Sequence, residues 1–449
     1  LMDKQAKQAL DTGLESLQNW KESYGAWDVD STLFVSDSKA EEVFTRLSQR
    51  LKCNYPFHHP VYAGQMLKPP HPITWAAYAM AMSINPNNHA LDGGPPSSEM
   101  EKEVITELAD FFGYGKNYLG HLTASGTIAN LEALWIARES HPDKMIAFSS
   151  NSHYTHERMC GVLAVDSIKI PILEDGSFDL DKVNPDGVGT IVVTLGTTGL
   201  GEVEPLDQVI LWAKEHGVRI HIDAAYGGFF RTLKDSELID GTSWKLMQEA
   251  DSIVVDPHKH GLQPYGCGCV LFKDPEVGRF YKHDSPYTYF TSDDLHLGEI
   301  SLECSRAGAA AVALWATLQC FPLKENEGFG AIMAKCRQAA LKGYSLMENS
   351  GNLVPYKKPE LDILGYFPIH QSTKSTSQIS ELSKKVFEKG MKDQSFYLSL
   401  FKVPSLEFKR LHSEYEADTE TVTILRSVFM RPEQLDFVGE LISRIEKVI

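Results

Sequence analysis

Residues 218–228 read Val218-Arg219-Ile220-His221-Ile222-Asp223-Ala224-Ala225-Tyr226-Gly227-Gly228. β-Branched residues at 218, 220 and 222 mark a strand, which closes on a carboxylate followed by small residues and two glycines. An acid placed there can sit against a flat ligand, and it equally suits a turn or cap. Outward from this stretch the same grammar recurs, with short apolar runs at 145–148, 167–172, 190–195, 252–255 and 269–272. Helical segments at 127–138 and 206–216 lie between them. Runs such as Thr190-Ile191-Val192-Val193 carry no polar alternation, which fits strands buried on both faces. Strands alternating with helices predict an α/β fold with a mostly parallel central sheet and flanking helices.

The flanks are different. Upstream, Ser97 or Ser98 is placed to cap a helix carrying Met100, Val104, Leu108, Phe111 and Phe112 on one face, and Gly113 ends it. Downstream, one long helical stretch runs from Ala307 to about Gly343. Strand-like segments follow near 362–369, 395–402 and 421–429, and the chain closes on an amphipathic helix after Pro432. Strands segregated from helices predict a smaller α+β C-terminal domain. The expected plan is an N-terminal helical and loop segment over 1–64, a large domain over 65–310, and a small domain over 311–449.

Of 449 residues, 43 are Lys or Arg and 60 are Asp or Glu, a net charge of −17. That balance opposes broad contact with a nucleic-acid backbone or an anionic membrane. No run approaches the length of a membrane span. The N-terminal residues lack a hydrophobic signal core, and seven scattered cysteines fit a reducing compartment. The cytoplasm is the expected location.

In open α/β sheets ligands bind beyond the carboxyl ends of the strands, so the residues after each run carry the chemistry. After 252–255 comes Asp256-Pro257-His258-Lys259-His260-Gly261. A lysine there is either a desolvated amine suited to covalent catalysis or a snorkelling surface side chain. Ser125-Gly126-Thr127-Ile128-Ala129-Asn130 opens an apolar helix. Its free N–H groups and hydroxyls suit a phosphate dianion, and helix capping accounts for the same residues. Thr194-Leu195-Gly196-Thr197-Thr198 and Asn151-Ser152-His153-Tyr154 follow two further runs. A phosphate cradle, an acid, an amine and an imidazole on successive strand ends together describe a pyridoxal phosphate site.

These motifs, in this order, resemble the pyridoxal-phosphate-dependent group II amino-acid decarboxylases, over residues 95–430. That family includes aromatic-amino-acid, tyrosine, glutamate and aspartate decarboxylases and has the aspartate-aminotransferase-like fold (fold type I). The resemblance implies decarboxylation of an L-amino acid to its amine, through a Lys259 aldimine and a quinonoid intermediate. Asp223 would pair with the pyridinium nitrogen, and His153 and Ala225 would hold the two ring faces. Ser125, Gly126 and Thr127 would bind the phosphate, helped by His258, with Thr194 near the phenolic oxygen. It also implies a homodimer with the active site near the subunit interface, across which Ser305 would reach the phosphate. A loop tyrosine often protonates the substrate carbon in this family. Tyr287 and Tyr289 are the candidates here, with a structural role as the alternative. Arg426, in Ile424-Leu425-Arg426-Ser427-Val428, is either a bidentate clamp on the substrate carboxylate or part of a domain-interface ion pair.

Two departures bear on substrate identity. Ile128 stands where many relatives carry glutamate, and His260-Gly261 follow the lysine where an aromatic residue is common. Another reaction on the same cofactor is the alternative function: transamination, or carbon–carbon or carbon–sulfur lysis. Fold and cofactor do not decide which bond breaks. A non-catalytic pyridoxal-phosphate-binding protein ranks below both, because Lys259 and Asp223 are present. His58 and His59, in a proline-rich entry segment, either line the pocket mouth or belong to a surface loop. Cys267-Gly268-Cys269 reads as structural, and no motif calls for a metal. Inside its acidic shell the protein is expected to hold a cationic pocket built from a helix N-terminus, His258, Lys259 and Arg426.

Overall fold

The computed structural model of the protein describes residues 2–282 and 297–449. Seven strands form one sheet: β1 (Leu119–Thr123), β2 (Met145–Ser149), β3 (Ser167–Ile170), β4 (Val188–Thr194), β5 (Arg219–Asp223), β6 (Ser252–Val255) and β7 (Gly268–Phe272). Their order is β1-β7-β6-β5-β4-β2-β3. Strands β2 to β6 are parallel, and β7 is antiparallel to both β6 and β1. The carboxyl end of β1 therefore lies on the same edge as those of the parallel set. All residues of β1, β4, β6 and β7 are buried. Along β6, Ile253 and Val255 enter one apolar cluster with Phe112, Phe229, Phe230, Trp244 and Phe329. Val254 enters another with Ala129, Ala133 and Ile136 of the helix Gly126–Ser140. That is the two-residue period of a strand covered on both sides. Each large apolar side chain so buried stabilises by about 1.5–3 kcal/mol.

The C-terminal sheet is antiparallel, with β8 (Leu353–Pro355), β9 (Ile363–Pro368), β10 (Ser399–Pro404) and β11 (Thr421–Val428) in the order β10-β11-β9-β8. Two expectations need correcting. The upstream helix begins at Pro95 after Gly94, with no side-chain cap. Proline is preorganised for that first position, and Ser97 and Ser98 sit buried inside the first turn. The helical stretch from residue 307 is two helices, Gly308–Cys320 and Gly328–Glu348. Pro322 lies between them and has no N–H to continue the ladder. Gly113 does terminate the helix before it, in the left-handed conformation at φ +90°.

The N-terminal segment forms the helices Met2–Glu22 and Asp37–Leu51. Residues 61–63 then run beside the small sheet. The Ala63 N–H donates to the Tyr397 carbonyl at 2.8 Å, and the Val428 N–H donates to the Ala63 carbonyl at 2.9 Å. Among the described residues, no helix is long and apolar enough to cross a membrane.

Strand β2 has β3 on one side and β4 on the other, so the loops leaving β2 and β4 part and open a crevice. Buried Glu204 ties the two strand ends together there. It accepts the Thr194 N–H at 2.6 Å and also bonds the Ser149 hydroxyl. Burial pushes its pKa up to about 7. A carboxyl raised in the fold binds its proton more tightly there than in the unfolded chain. The resulting stability is complete below the ordinary glutamate range and is lost as pH rises through about 7. Between about pH 5 and about pH 8 the cofactor-free protein should therefore lose stability relative to Glu204→Gln, by up to about 3 kcal/mol. Calorimetry of both proteins across that range reads the difference, and parallel melting curves would exclude this role.

Candidate active site

The carboxyl ends of β1, β2, β4, β5 and β6 meet at one cavity. Its lining draws on all five: Gly126 and Thr127 after β1, His153 after β2, Thr194 and Thr198 at β4, Asp223 and Ala225 at β5, Asp256 and Lys259 after β6. Strand register places Thr194 beside Asp223, and Asp223 beside Val254.

Asp223 is 5% exposed. Its Oδ1 accepts the Ala225 N–H at 3.1 Å, and its Oδ2 lies 2.9 Å from His156 Nε2. Burial alone would raise its pKa. The His156 hydrogen bond, the charge of Lys259 and the Ala225 N–H outweigh that and hold it well below the usual carboxylate range. It is a fixed anion facing a cavity.

Lys259 Nζ lies 3.3 Å from Asp256 Oδ2, and His258 Nε2 lies 3.4 Å from the same oxygen. His258 Nδ1 donates to the Cys267 carbonyl at 2.7 Å, and burial lowers its pKa. The Asp256 carboxylate lies flush under Gly126, so any Cβ at 126 would collide with it. Ser125 caps the helix Gly126–Ser140, its hydroxyl accepting the Ile128 N–H at 3.2 Å. The first N–H groups of that helix have no carbonyl one turn back to reach, which leaves those of Gly126 and Thr127 for an anion. The Thr194 hydroxyl is buried at the cavity wall, beside the Glu204 carboxyl. His153 Nδ1 accepts the Thr155 N–H at 3.3 Å, with the Thr155 hydroxyl 2.8 Å away. Burial lowers the pKa of His153 as well.

The cavity is not the cationic pocket expected. Asp223 and Asp256 line it against Lys259 alone, and neither His258 nor Arg426 belongs to the lining. Arg426 ties the domains together. Its Nε donates to Gly199 O at 2.6 Å and its Nη2 to Thr198 O at 2.7 Å. Its Nη1 donates to Gly64 O at 3.2 Å and to Ser399 Oγ at 3.0 Å. Of the five N–H groups of a guanidinium, one on Nη2 is left, beside Thr198 at the cavity wall. A bidentate clamp would have to displace a carbonyl. Ser305 is bonded by Asn87 Nδ2 at 3.3 Å and stands outside this chain's cavity lining. His58 and His59 are exposed and also outside it, with His59 accepting the Val61 N–H at 3.0 Å. Tyr287 and Tyr289 lie outside the described residues.

Sequence reasoning passed over three groups that the structure brings in. His156 is the partner of Asp223. Asp256 was quoted within its motif without a role. Tyr226 lines the cavity and donates to Asp362 Oδ1 of the small domain at 2.7 Å.

The family described as "Pyridoxal-dependent decarboxylase conserved domain" matches residues 39–361. An L-tyrosine decarboxylase of Enterococcus faecium is 26% identical over 464 residues, covering 78% of this chain and 75% of its own. A probable L-aspartate decarboxylase of Pyrococcus abyssi is 26% identical over 335 residues, covering 73% and 84%. The crystal structure of Catharanthus roseus tryptophan decarboxylase in complex with L-tryptophan superposes with a TM-score of 0.77 at 15% identity, covering 100% of this chain and 98% of that one. The last likeness shows the shared fold type I architecture.

The residues present fit pyridoxal phosphate. The buried Thr194 hydroxyl, the fixed Asp223 anion and the side-chain-free approach at Gly126 each face the same cavity. Gly126→Ala drives a methyl group into the Asp256 carboxylate and should weaken cofactor binding by about tenfold or more, the scale of a strain of 1–3 kcal/mol. An absorbance titration measures this, and unchanged affinity would show that the cradle tolerates a side chain.

Proposed function

The chain belongs to the pyridoxal-dependent decarboxylase family, and from that premise we propose that the cavity around Lys259 releases carbon dioxide from an L-amino acid, leaving the amine. The observation that carries this is the shared cavity of Asp223, an anion fixed by buried donors, and Lys259, an amine at the next strand end. Bound pyridoxal phosphate supplies a ring that accepts the electron pair left by the departing carboxylate. Asp223 holds a proton at the ring nitrogen, which is electrostatic preorganisation in a dry site. Lys259 would provide the amine that holds the cofactor. His153 and Ala225 bound the ring, and the Thr194 hydroxyl takes its phenolic oxygen. Ser125, Gly126 and Thr127 hold the phosphate. The remaining Arg426 N–H, with the guanidinium charge, meets the substrate carboxylate by a single hydrogen bond. The tyrosine and aspartate relatives make both side-chain classes first choices for the substrate.

The same reading takes the protein as a cytoplasmic homodimer, with Ser305 directed to the partner's phosphate site. All seven cysteines are free, which suits a reducing compartment. The helix Asp37–Leu51 has no buried residue, yet it carries Val43, Phe44, Leu47 and Leu51. Phe44 alone is 70% exposed. An apolar stripe of this kind marks an interface, and a second copy of the chain is the occupant proposed. The domain plan proposed is 1–64, 65–310 and 311–449, with the helix Gly308–Cys320 as the crossing element.

Two measurements test these points. Tyrosine, aspartate and a panel of aromatic, acidic and basic amino acids should include one that yields carbon dioxide and amine in equal amounts, with all turnover lost in Lys259→Ala. A keto acid or aldehyde without carbon dioxide across the panel would overturn decarboxylation, and full activity in the alanine variant would remove the amine from the mechanism. In sedimentation velocity the protein should run at twice its 50.1 kDa chain mass. Phe44→Asp with Leu47→Asp should run at the chain mass. A monomeric unsubstituted protein would exclude the dimer.

A further inference from the structure

His156 occupies the first turn of the helix Thr155–Val162 and is fully buried. Its Nε2 lies 2.9 Å from Asp223 Oδ2. Its Nδ1 is buried and has no hydrogen-bond partner, and the Phe148 ring lies 6.0 Å away. Burying an imidazole with one bare nitrogen destabilises a fold, so the apolar setting gives no reason to place histidine here. The reason lies at the other nitrogen. An ionised carboxylate only accepts, which fixes the proton of His156 on Nε2.

Among the described residues no other side chain donates a hydrogen bond to Asp223. The neighbouring imidazoles are committed elsewhere. His221 Nε2 donates to Asn130 Oδ1 at 2.8 Å, and its Nδ1 lies 2.8 Å from the Ser252 hydroxyl. His153 turns its Nδ1 to Thr155. The backbone N–H of Ala225 covers the other Asp223 oxygen. Each carboxylate oxygen has a second lone pair, so both donors are compatible with a third group approaching from the cavity.

We infer that His156 is a positioning residue for the reaction. It donates to Asp223, fixing the carboxylate plane and keeping the group ionised, so that the cofactor ring nitrogen keeps its proton. This rests on the reading that Asp223 pairs with that nitrogen. With His156 absent, burial is opposed by one backbone N–H and the charge of Lys259, and both the ionisation and the orientation of Asp223 relax.

Glutamine and methionine are close in shape, and only glutamine donates, so His156→Gln and His156→Met separate the hydrogen bond from packing. Three readouts apply: the Kd for pyridoxal phosphate, the ratio of visible to near-ultraviolet absorption of the bound cofactor, and the melting temperature of the cofactor-free protein. The methionine variant should bind the cofactor about tenfold or more weaker, with an altered band ratio and a kcat reduced to match. The glutamine variant should recover most of all three. A packing role predicts the reverse order, because methionine suits the apolar surroundings better. Equal Kd and spectra in the two variants, or a glutamine variant no better than methionine, would overturn the inference. If methionine leaves the protein unfolded, the glutamine variant alone decides it, since a wild-type melting temperature with methionine-like loss of affinity is excluded by the proposal. Failure of the unsubstituted protein to bind the cofactor at all would instead overturn the reading beneath it.

Discussion

A carboxylate buried at the end of a central strand is the constraint around which this site is built. Taking such a group out of water costs several kcal/mol, and a single charged hydrogen bond returns about 1.5–3 kcal/mol. Asp223 therefore needs more than one donor, and they come from different elements. The turn after β5 supplies the Ala225 N–H, the helix after β2 supplies His156, and the loop after β6 supplies the charge of Lys259. Parallel strands in register bring these loops to one edge. A shift of one residue in β5 would turn the carboxylate to the other face of the sheet. The anion and the sheet thus specify one another.

Net charge and local charge obey different rules here. A chain of net charge −17 encloses a cavity whose own lining holds two carboxylates and one lysine. An anion is accepted by such a lining more readily where backbone partial charges add to its one lysine. The first N–H groups of the helix Gly126–Ser140 provide them, reinforced by the helix dipole, equivalent to about half a positive charge. Asp256 gives the lining a further use. It holds Lys259 from below, so the amine is located before any cofactor arrives.

How much of this was legible follows from the range of each interaction. Continuous apolar runs exposed β4 and β6, because a strand covered on both faces leaves no room for polar residues. The strand β1, Leu119-Gly120-His121-Leu122-Thr123, escaped notice because its glycine and histidine are explained only by tertiary neighbours. A side chain at Gly120 would strike Leu271 on β7, and His121 sits 2.9 Å from Glu132. The three-residue β8 is too short for any period to show. Motif residues could be read because they cluster in sequence at strand ends. Their supports could not: His156 lies 67 residues from Asp223, Glu204 lies 55 from Ser149, and Tyr226 lies 136 from Asp362. Nothing local distinguishes a histidine that supports a carboxylate from one that fills a core.

The supports also govern how the two domains meet. Apolar contact is non-directional and lets packed surfaces slide, whereas a buried hydrogen bond is either made or lost at considerable cost. Behind the cavity the small domain is joined by the second kind. Asp362, just before β9, accepts from Tyr226 and lies 3.1 Å from His260 Nε2, the residue next to Lys259. Arg426 on β11 reaches the Thr198 and Gly199 carbonyls beyond β4. These ties start from both sides of the cofactor cavity and end on adjacent strands of one small sheet. The C-terminal sheet is therefore tied to the loops on both sides of the cavity. Arg426 is committed to this docking, with four of its five N–H groups spent on Thr198, Gly199, Gly64 and Ser399.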